Sequence, residues 1–268
     1  MLEMPVVLLK EGMVPARTIC TNQGTVLIAK GIPLKQSYID RLLKFQIKTI
    51  TINEPQDNEA APVVSPSVQA VVNAGKEWLI VMKSLGIGNF HKTELQVEQV
   101  LYSFLDNPAL GGYLTAMEQN KPIYEHSLRT AMLTIQIGLS NGYDFLNLQF
   151  AATAALLHDC GVDGSYTEED DHTLFGFLKL HKDKEIDLLI ALVCLQHHEH
   201  YDGHGRPMGF VRGQITEFAR MISVADFLDR SIFMDKNTLR SSFVQMQALR
   251  GSRFDPGMVD CLGTALMP

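Results

Sequence analysis

His197-His198-Glu199-His200-Tyr201-Asp202-Gly203-His204-Gly205-Arg206-Pro207 follows directly on an apolar run, Ile190-Ala191-Leu192-Val193-Cys194-Leu195, and holds four of the chain's nine histidines. An apolar helix that hands imidazoles to a glycine-punctuated loop suits metal or phosphate chemistry. Alone, the stretch reads equally well as a polar loop with incidental histidines. The surrounding helices decide between the two. Ala151-Ala152-Thr153-Ala154-Ala155-Leu156-Leu157-His158-Asp159, followed by Gly161, is a small-residue apolar helix ending in His-Asp. An ionised Asp at such a helix end is expensive to bury without a partner, and a divalent cation is a suitable one. Asp226 is a single acid inside Met221-Ile222-Ser223-Val224-Ala225-Asp226-Phe227-Leu228, and His126 opens a helix with Met132, Ile135 and Leu139 on a helical repeat. Each of these apolar helices places a His or Asp where packing alone favours Leu. Together they point to one shared metal centre.

Outward from these helices, every segment from residue 93 reads as helical, with Leu95, Val97, Val100, Leu101 and Phe104 marking a helix from about Thr93 to Leu105. The expectation is a mainly α protein whose principal domain, 93–268, is a helical bundle. Before it, Val71, Val72, Trp78, Leu79 and Met82 set a helix over Val68–Leu85, broken by Gly86, Gly88 and Asn89. Residues from about Glu54 to Pro66 are rich in Pro, Ala, Asn and acids and read as a linker. The segment 55–92 is therefore expected to be a linker and connecting helix. Residues 1–54 are expected to form a small β-rich module. Its short runs are Pro5–Leu9, Thr25–Ala29 and Thr49–Ile52, punctuated by Gly12, Gly24 and Gly31. One helix there runs from Tyr38 to about Phe45, capped by Ser37, with Ile39, Leu42 and Leu43 inward.

Composition narrows the classes of function. The chain has 268 residues, 46% hydrophobic and 20% charged, an ordinary globular balance. A net charge of -7 gives no basic footprint for nucleic acid or an anionic membrane, so a phosphate ligand must be held by local cations. The four cysteines, Cys20, Cys160, Cys194 and Cys261, form no C-x-x-C pair and suit a reducing cytosol. Cys160 adjoins the His-Asp pair and reads as a small core residue. No signal peptide is evident, and no apolar run reaches the ~20 residues a bilayer requires. A cytoplasmic location is expected.

At the residues above, the chain resembles the HD-GYP branch of the HD phosphohydrolases. His126 in Tyr124-Glu125-His126-Ser127-Leu128-Arg129, then His158-Asp159, His172, His197-His198, Gly203-x-Gly205-x-Pro207 and Asp226 follow that family's order, and Gly251-Ser252-Arg253-Phe254-Asp255-Pro256 resembles its ending. The resemblance covers about the last two thirds of the chain. It implies a metal-dependent phosphodiesterase that opens cyclic di-GMP at two divalent cations. Asp159 would bridge them, with His126, His158 and Asp226 completing one site and His172, His197 and His198 the other. Imidazole with carboxylate suits iron, manganese or zinc; iron or manganese is the expectation and zinc the alternative. Pro122 occupies the position at which some relatives carry an acid for a third metal, and Glu125 is an imperfect substitute. Asp159 and Arg206 are the catalytic candidates, and Arg129, Arg206, Arg220 and Lys236 the candidates for substrate phosphate.

Several positions depart from the family pattern. Arg206 stands where the Gly-Tyr-Pro signature has Tyr. Val162 stands where the HD-x-G-K segment has Lys, and the following loop is short and acidic at Glu168-Glu169-Asp170-Asp171. The Arg-Pro-Tyr-Arg stretch that commonly follows the late Asp is not recognisable, although Lys236 and Arg240 lie nearby. These departures keep a second reading in play, a catalytically degenerate module that binds ligand or a signalling protein. The expected partners are a cyclic dinucleotide, a signalling protein or a second copy of the chain as a homodimer, with no nucleic acid polymer.

Overall fold

The computed structural model describes residues 2–20, 26–53, 66–87, 90–104, 109–162 and 172–266. Most of the expected linker after Glu54, the acidic loop at 168–171, and Gly24, Gly88 and Asn89 lie outside the described residues.

The N-terminal module holds two short antiparallel pairs. Strand β1 (Leu2–Pro5) pairs with β4 (Thr49–Ile52), Leu2 opposite Ile52, and β2 (Ile19–Cys20) pairs with β3 (Val26–Ile28). The first strand stops where the sequence reading began it, because Val6–Leu8 turns into a short 3-10 segment after Pro5. Helix α1 (Gln36–Lys44) closes the module. Its Tyr38, Ile39 and Leu42 face the core formed by Val6, Leu27, Ile28, Ile32 and Ile52, whereas Leu43, expected inward, is 45% exposed. The helix also begins earlier than expected: Lys35 is the cap residue, and Ser37 sits inside the first turn.

The remaining regular elements among the described residues are helical, as the periodicity requires. In chain order they form α2 (Pro66–Ser84), α3 (Phe90–Ser103), α4 (Leu110–Glu118), α5 (Lys121–Ser140), α6 (Phe145–Leu157), α7 (His172–His181), α8 (Leu188–Gln196), α9 (Glu217–Asp229), α10 (Leu239–Ala248) and α11 (Pro256–Leu266). Their starts are chemically marked. Pro122 opens α5, where a missing N–H costs nothing. Asp144, Asp187 and Thr216 cap α6, α8 and α9 by accepting from Asn147, Leu189 and Ala219 backbone N–H groups. No helix among the described residues is long and apolar enough to cross a membrane.

Helix α5 is the axis. It is buried from Tyr124 through Gly138 almost without interruption and packs against α2, α3, α4, α6, α9 and α11. Helix α2, from the segment read as a connection, adds Val71, Leu79 and Met82 to this same core. Small residues allow close approach. The alanines of α6 are all buried, and Gly138 of α5 touches the Leu148 side chain.

Two glycines fix the site's geometry. Gly161, just after His158-Asp159, lies so close to α7 that a Cβ would overlap the His172 carbonyl oxygen and approach the Gly176 nitrogen to 2.6 Å. A Cβ on Gly176 would overlap Cys194 Sγ on α8. Thus the turn after α6, the start of α7 and the body of α8 are in direct contact, and His172 is carried onto Asp159. Gly161→Ala should destabilise the fold by at least about 1–3 kcal/mol, the usual cost of overpacking a rigid contact. A lowered Tm in thermal unfolding checks this, and an unchanged Tm would contradict the packing described.

Candidate metal centre

Five elements deliver the ligand-type side chains. His126 comes from α5, His158 and Asp159 from the turn closing α6, His172 from the first residue of α7, His197 and His198 from the end of α8, and Asp226 from the last turn of α9. His126, His158, Asp159, His172, His197 and Asp226 are all at most 2% exposed, and His198 is half-buried. The structure brings together all seven residues expected from the sequence.

Asp159 stands between two groups. Its Oδ1 lies 3.4 Å from both His172 Nε2 and His197 Nε2. Its Oδ2 lies 3.5 Å from His158 Nε2 and 3.6 Å from His126 Nε2. Asp226 Oδ1 closes the second group, 2.9 Å from His126 Nε2 and 3.8 Å from His158 Nε2. His172, His197 and His198 converge as one potential ligand set and His126, His158 and Asp226 as another.

The far side of three rings is already fixed. His158 Nδ1 is 2.6 Å from the Ala155 carbonyl oxygen and His197 Nδ1 is 2.7 Å from that of Cys194. A carbonyl only accepts, so these Nδ1 atoms carry protons and the Nε2 lone pairs face inward. His126 Nδ1 is held 2.6 Å from Asp229 Oδ2. Inside the cluster, His158 Nε2 and Asp159 Oδ1 are buried with no hydrogen-bond partner among the described residues, as is His172 Nδ1 on the outer side of its ring. His126 Nε2 also lacks hydrogen-bond geometry despite its approach to Asp226. Orphaned buried polar atoms cost about 1–3 kcal/mol each. Cations seated on the two sides of Asp159 would answer its Oδ1 and the Nε2 atoms of His158 and His126, and the donor set is one that divalent metals take.

The electrostatics agree. Burial opposes charge on Asp159, but the imidazoles of His158, His172 and His197 and the Arg230 guanidinium hold its carboxyl well below the usual range. Asp226 is likewise held low against burial, chiefly by Arg230 and then by His126 and His158. Burial, reinforced by neighbouring imidazoles, lowers His197 and pushes His198 down to about 2, so both are neutral lone-pair donors. His126 differs: burial disfavours its charge, but Asp226 and Asp229 outweigh it and raise it to about 9.

The expected phosphate-holding residues fare unevenly. Arg129 is not at the substrate face. It is buried, donates Nε and Nη2 to Asp229 at 2.6 and 3.0 Å, and packs against the rings of Trp78 and Phe233, which meet each other edge-to-face. It orients Asp229, which orients His126. Arg220 is also turned elsewhere, to Asp255 Oδ2 at 2.7 Å and the carbonyl oxygens of Arg212 and Ile215. Lys236 lies on an exposed turn and donates to the Phe233 carbonyl oxygen at 2.6 Å. Glu125 is in contact with Lys121 and Arg129 and is outside the potential ligand sets found among the described residues. Val162 is half-buried and gives its N–H to the Asp159 carbonyl oxygen.

Arg206 does reach the site. With His198, His200, His204, Gly205, Asp226, Arg230 and Arg253 it lines a pocket of about 400 Å³ over the cluster. Arg230 and Arg253 were not singled out from the sequence. The signal for Arg230 was its position four residues after Asp226, and for Arg253 its place in the Gly251–Pro256 segment. Arg253 packs against the rings of Phe227 and Phe254, and its backbone carbonyl accepts from Tyr201. Glu199, also missed, is 2% exposed and pins the pocket loop by accepting from Met208 and Phe210 backbone N–H groups at 2.7 and 3.0 Å.

Comparison with known proteins fits this geometry. The HD domain family matches residues 123–231, a span that includes His126 and Asp226. The cyclic di-GMP phosphodiesterase response regulator RpfG of Xanthomonas campestris is 31% identical over 147 residues, 47% of this chain and 38% of that protein. A Pseudomonas aeruginosa protein named as a cyclic di-GMP phosphodiesterase is 27% identical over 196 residues, 66% of this chain and 45% of that protein. The chain thus spans less than half the length of these relatives. A solved structure from Bdellovibrio bacteriovorus, described as an HDG"Y"P protein, superposes with a TM-score of 0.51 at 17% identity, covering 98% of both chains. At that identity the likeness is one of fold.

Two outcomes follow for metal binding. Asp159→Ala should abolish uptake by both groups, since each loses one carboxylate oxygen; elemental analysis after equilibrium dialysis checks this. Metal at His126 must displace a proton below pH about 9, whereas the already neutral His197 and His198 bind without proton release. Affinity of the His126 group should therefore rise with pH, by up to about tenfold per unit, and level off above about 9. Calorimetry in buffers of different ionisation enthalpy reads the released proton directly.

Proposed function

Because the chain belongs to the HD-GYP branch of the HD-domain proteins, we propose that it is a metal-dependent phosphodiesterase that opens cyclic di-GMP by hydrolysis. The observation that carries this reading is the split of the Asp159 carboxylate between two imidazole groups beneath an arginine-lined pocket. The proposed cofactor is a pair of divalent cations, iron or manganese, with zinc as the alternative. His126, His158 and Asp226 would hold one, His172, His197 and His198 the other, and Asp159 both. Such a pair, when bound, supplies an activated water and neutralises charge on the reacting phosphoryl group.

The protein's own groups supply the rest. Arg206 and Arg253 offer charged donors to the phosphate oxygens of a cyclic dinucleotide. Arg206 stands on a loop whose N–H reaches the His198 carbonyl oxygen, which ties the pocket's rim to a ligand residue. Gly205 permits this turn, because a Cβ there would run into the backbone of Glu199 and His200. The second reading, a module that binds without turnover, is favoured by Val162, which puts an apolar side chain where the family pattern has a lysine.

The metal-loaded chain incubated with cyclic di-GMP should yield a ring-opened product on chromatography. Arg206→Ala should lower the rate about 10²–10³-fold, the typical loss when one donor to a developing anion is removed, with metal content unchanged. A metal-replete parent inert toward several cyclic dinucleotides and linear phosphodiesters would leave the binding module as the correct description.

A further inference from the structure

The two groups around Asp159 are not equivalent, and one difference between them is the side chain of Arg230. On the His172 side, Asp159 Oδ1 faces two imidazoles at 3.4 Å and has no hydrogen-bond partner among the described residues. On the His126 side, both carboxylate oxygens are already engaged. Arg230 gives Nε to Asp226 Oδ1 at 2.7 Å and Nη2 to Asp159 Oδ2 at 2.9 Å. These are the same two oxygens that face His126 and His158. Arg230 sits one turn after Asp226, at the first residue of a π turn, Arg230–Met234, that follows α9. Its side chain is 18% exposed, on the floor of the pocket.

We infer that Arg230 is a built-in competitor for the cation of the His126 group, so that the centre loads in a fixed order, His172 side first. A guanidinium and a divalent cation seek the same lone pairs, and two positive charges a few ångströms apart repel strongly in a buried site. Arginine cannot yield by losing its proton. To admit the ion it must break two charge-assisted hydrogen bonds and swing into the pocket. The Oδ1 face of Asp159 imposes no such exchange. This inference rests on the proposed two-ion centre and adds an order and an asymmetry to it.

The test is a Mn²⁺ titration of the full chain, with bound metal counted after equilibrium dialysis. The parent should show two classes of site separated by about 10- to 100-fold, the range expected for giving up charge-assisted hydrogen bonds. His172→Ala should lose the tight class and His126→Ala the weak one. Arg230→Met, which keeps the length of the stem, should tighten the weak class by a similar factor. Equal affinities in the parent, loss of the tight class in His126→Ala, or a weak class unmoved in folded Arg230→Met would each overturn the role of Arg230. If Arg230→Met does not fold by circular dichroism, the two histidine variants decide the order of loading. Two equal sites would remove only the role of Arg230, whereas a folded parent that binds no Mn²⁺ would remove the two-ion centre as well.

Discussion

A carboxylate with no exposed surface, faced by four imidazoles and one guanidinium, is the constraint on which the structure turns. Burying Asp159 as an anion is tolerable only if positive charge reaches it, and within the protein Arg230 supplies that charge at 2.9 Å. The ends of α6, α7, α8 and α9 and the second turn of α5 each bring a side chain to that point. The small residues of α6 and the contact between Gly161 and α7 are the packing consequences of that convergence. They shorten the distances between backbones until the rings can meet around one carboxylate.

The supporting groups explain why the cluster keeps a defined geometry. Carbonyl oxygens at the ends of α6 and α8 fix the tautomers of His158 and His197, so helix termination and ligand orientation are one event. His126 is steadied through a longer chain, His126 to Asp229 to Arg129, with Arg129 packed against two aromatic rings. This chain is fully internal. It converts a basic residue that looks like a phosphate contact into a support for a ligand, and it leaves the pocket's positive charge to Arg206, Arg230 and Arg253. An acidic protein thereby presents a local cationic surface beside the His and Asp cluster.

The N-terminal module is joined to the helical core by specific polar contacts as well as by packing. Gln99 of α3 donates to the Leu27 carbonyl oxygen at 2.6 Å in a buried setting, and Lys35 pairs with Glu98 at 2.6 Å. Leu95, Tyr102 and Phe145 pack against the module's core. Since α3 also packs on α5 and α6, a continuous packed path runs from the module to the helices that carry His126 and His158.

The sequence by itself determined the helical class and singled out the seven His and Asp side chains that the fold gathers. Both are local signals: a periodicity repeated along each helix, and a His or Asp standing out against an apolar background, as at His158-Asp159 and Asp226. It also marked the pocket loop through Gly203, Gly205 and Arg206. Finer local features were misread where tertiary packing overrode them, as with Leu43, left exposed on α1, and Ser37, bypassed as a cap by Lys35. Only the tertiary structure decided which cations face the site. Arg129, Arg220, Arg230 and Arg253 look alike along the chain, each a base near apolar residues. Their roles depend on which acid or ring lies across the fold: Asp229 for Arg129, Asp255 for Arg220, Asp159 for Arg230, and Phe227 with Phe254 for Arg253. Apart from the Phe254 beside Arg253, those partners lie tens of residues away along the chain. A long, flexible, charged side chain takes its direction from such long-range neighbours, and so its function is set by the fold rather than by its local sequence.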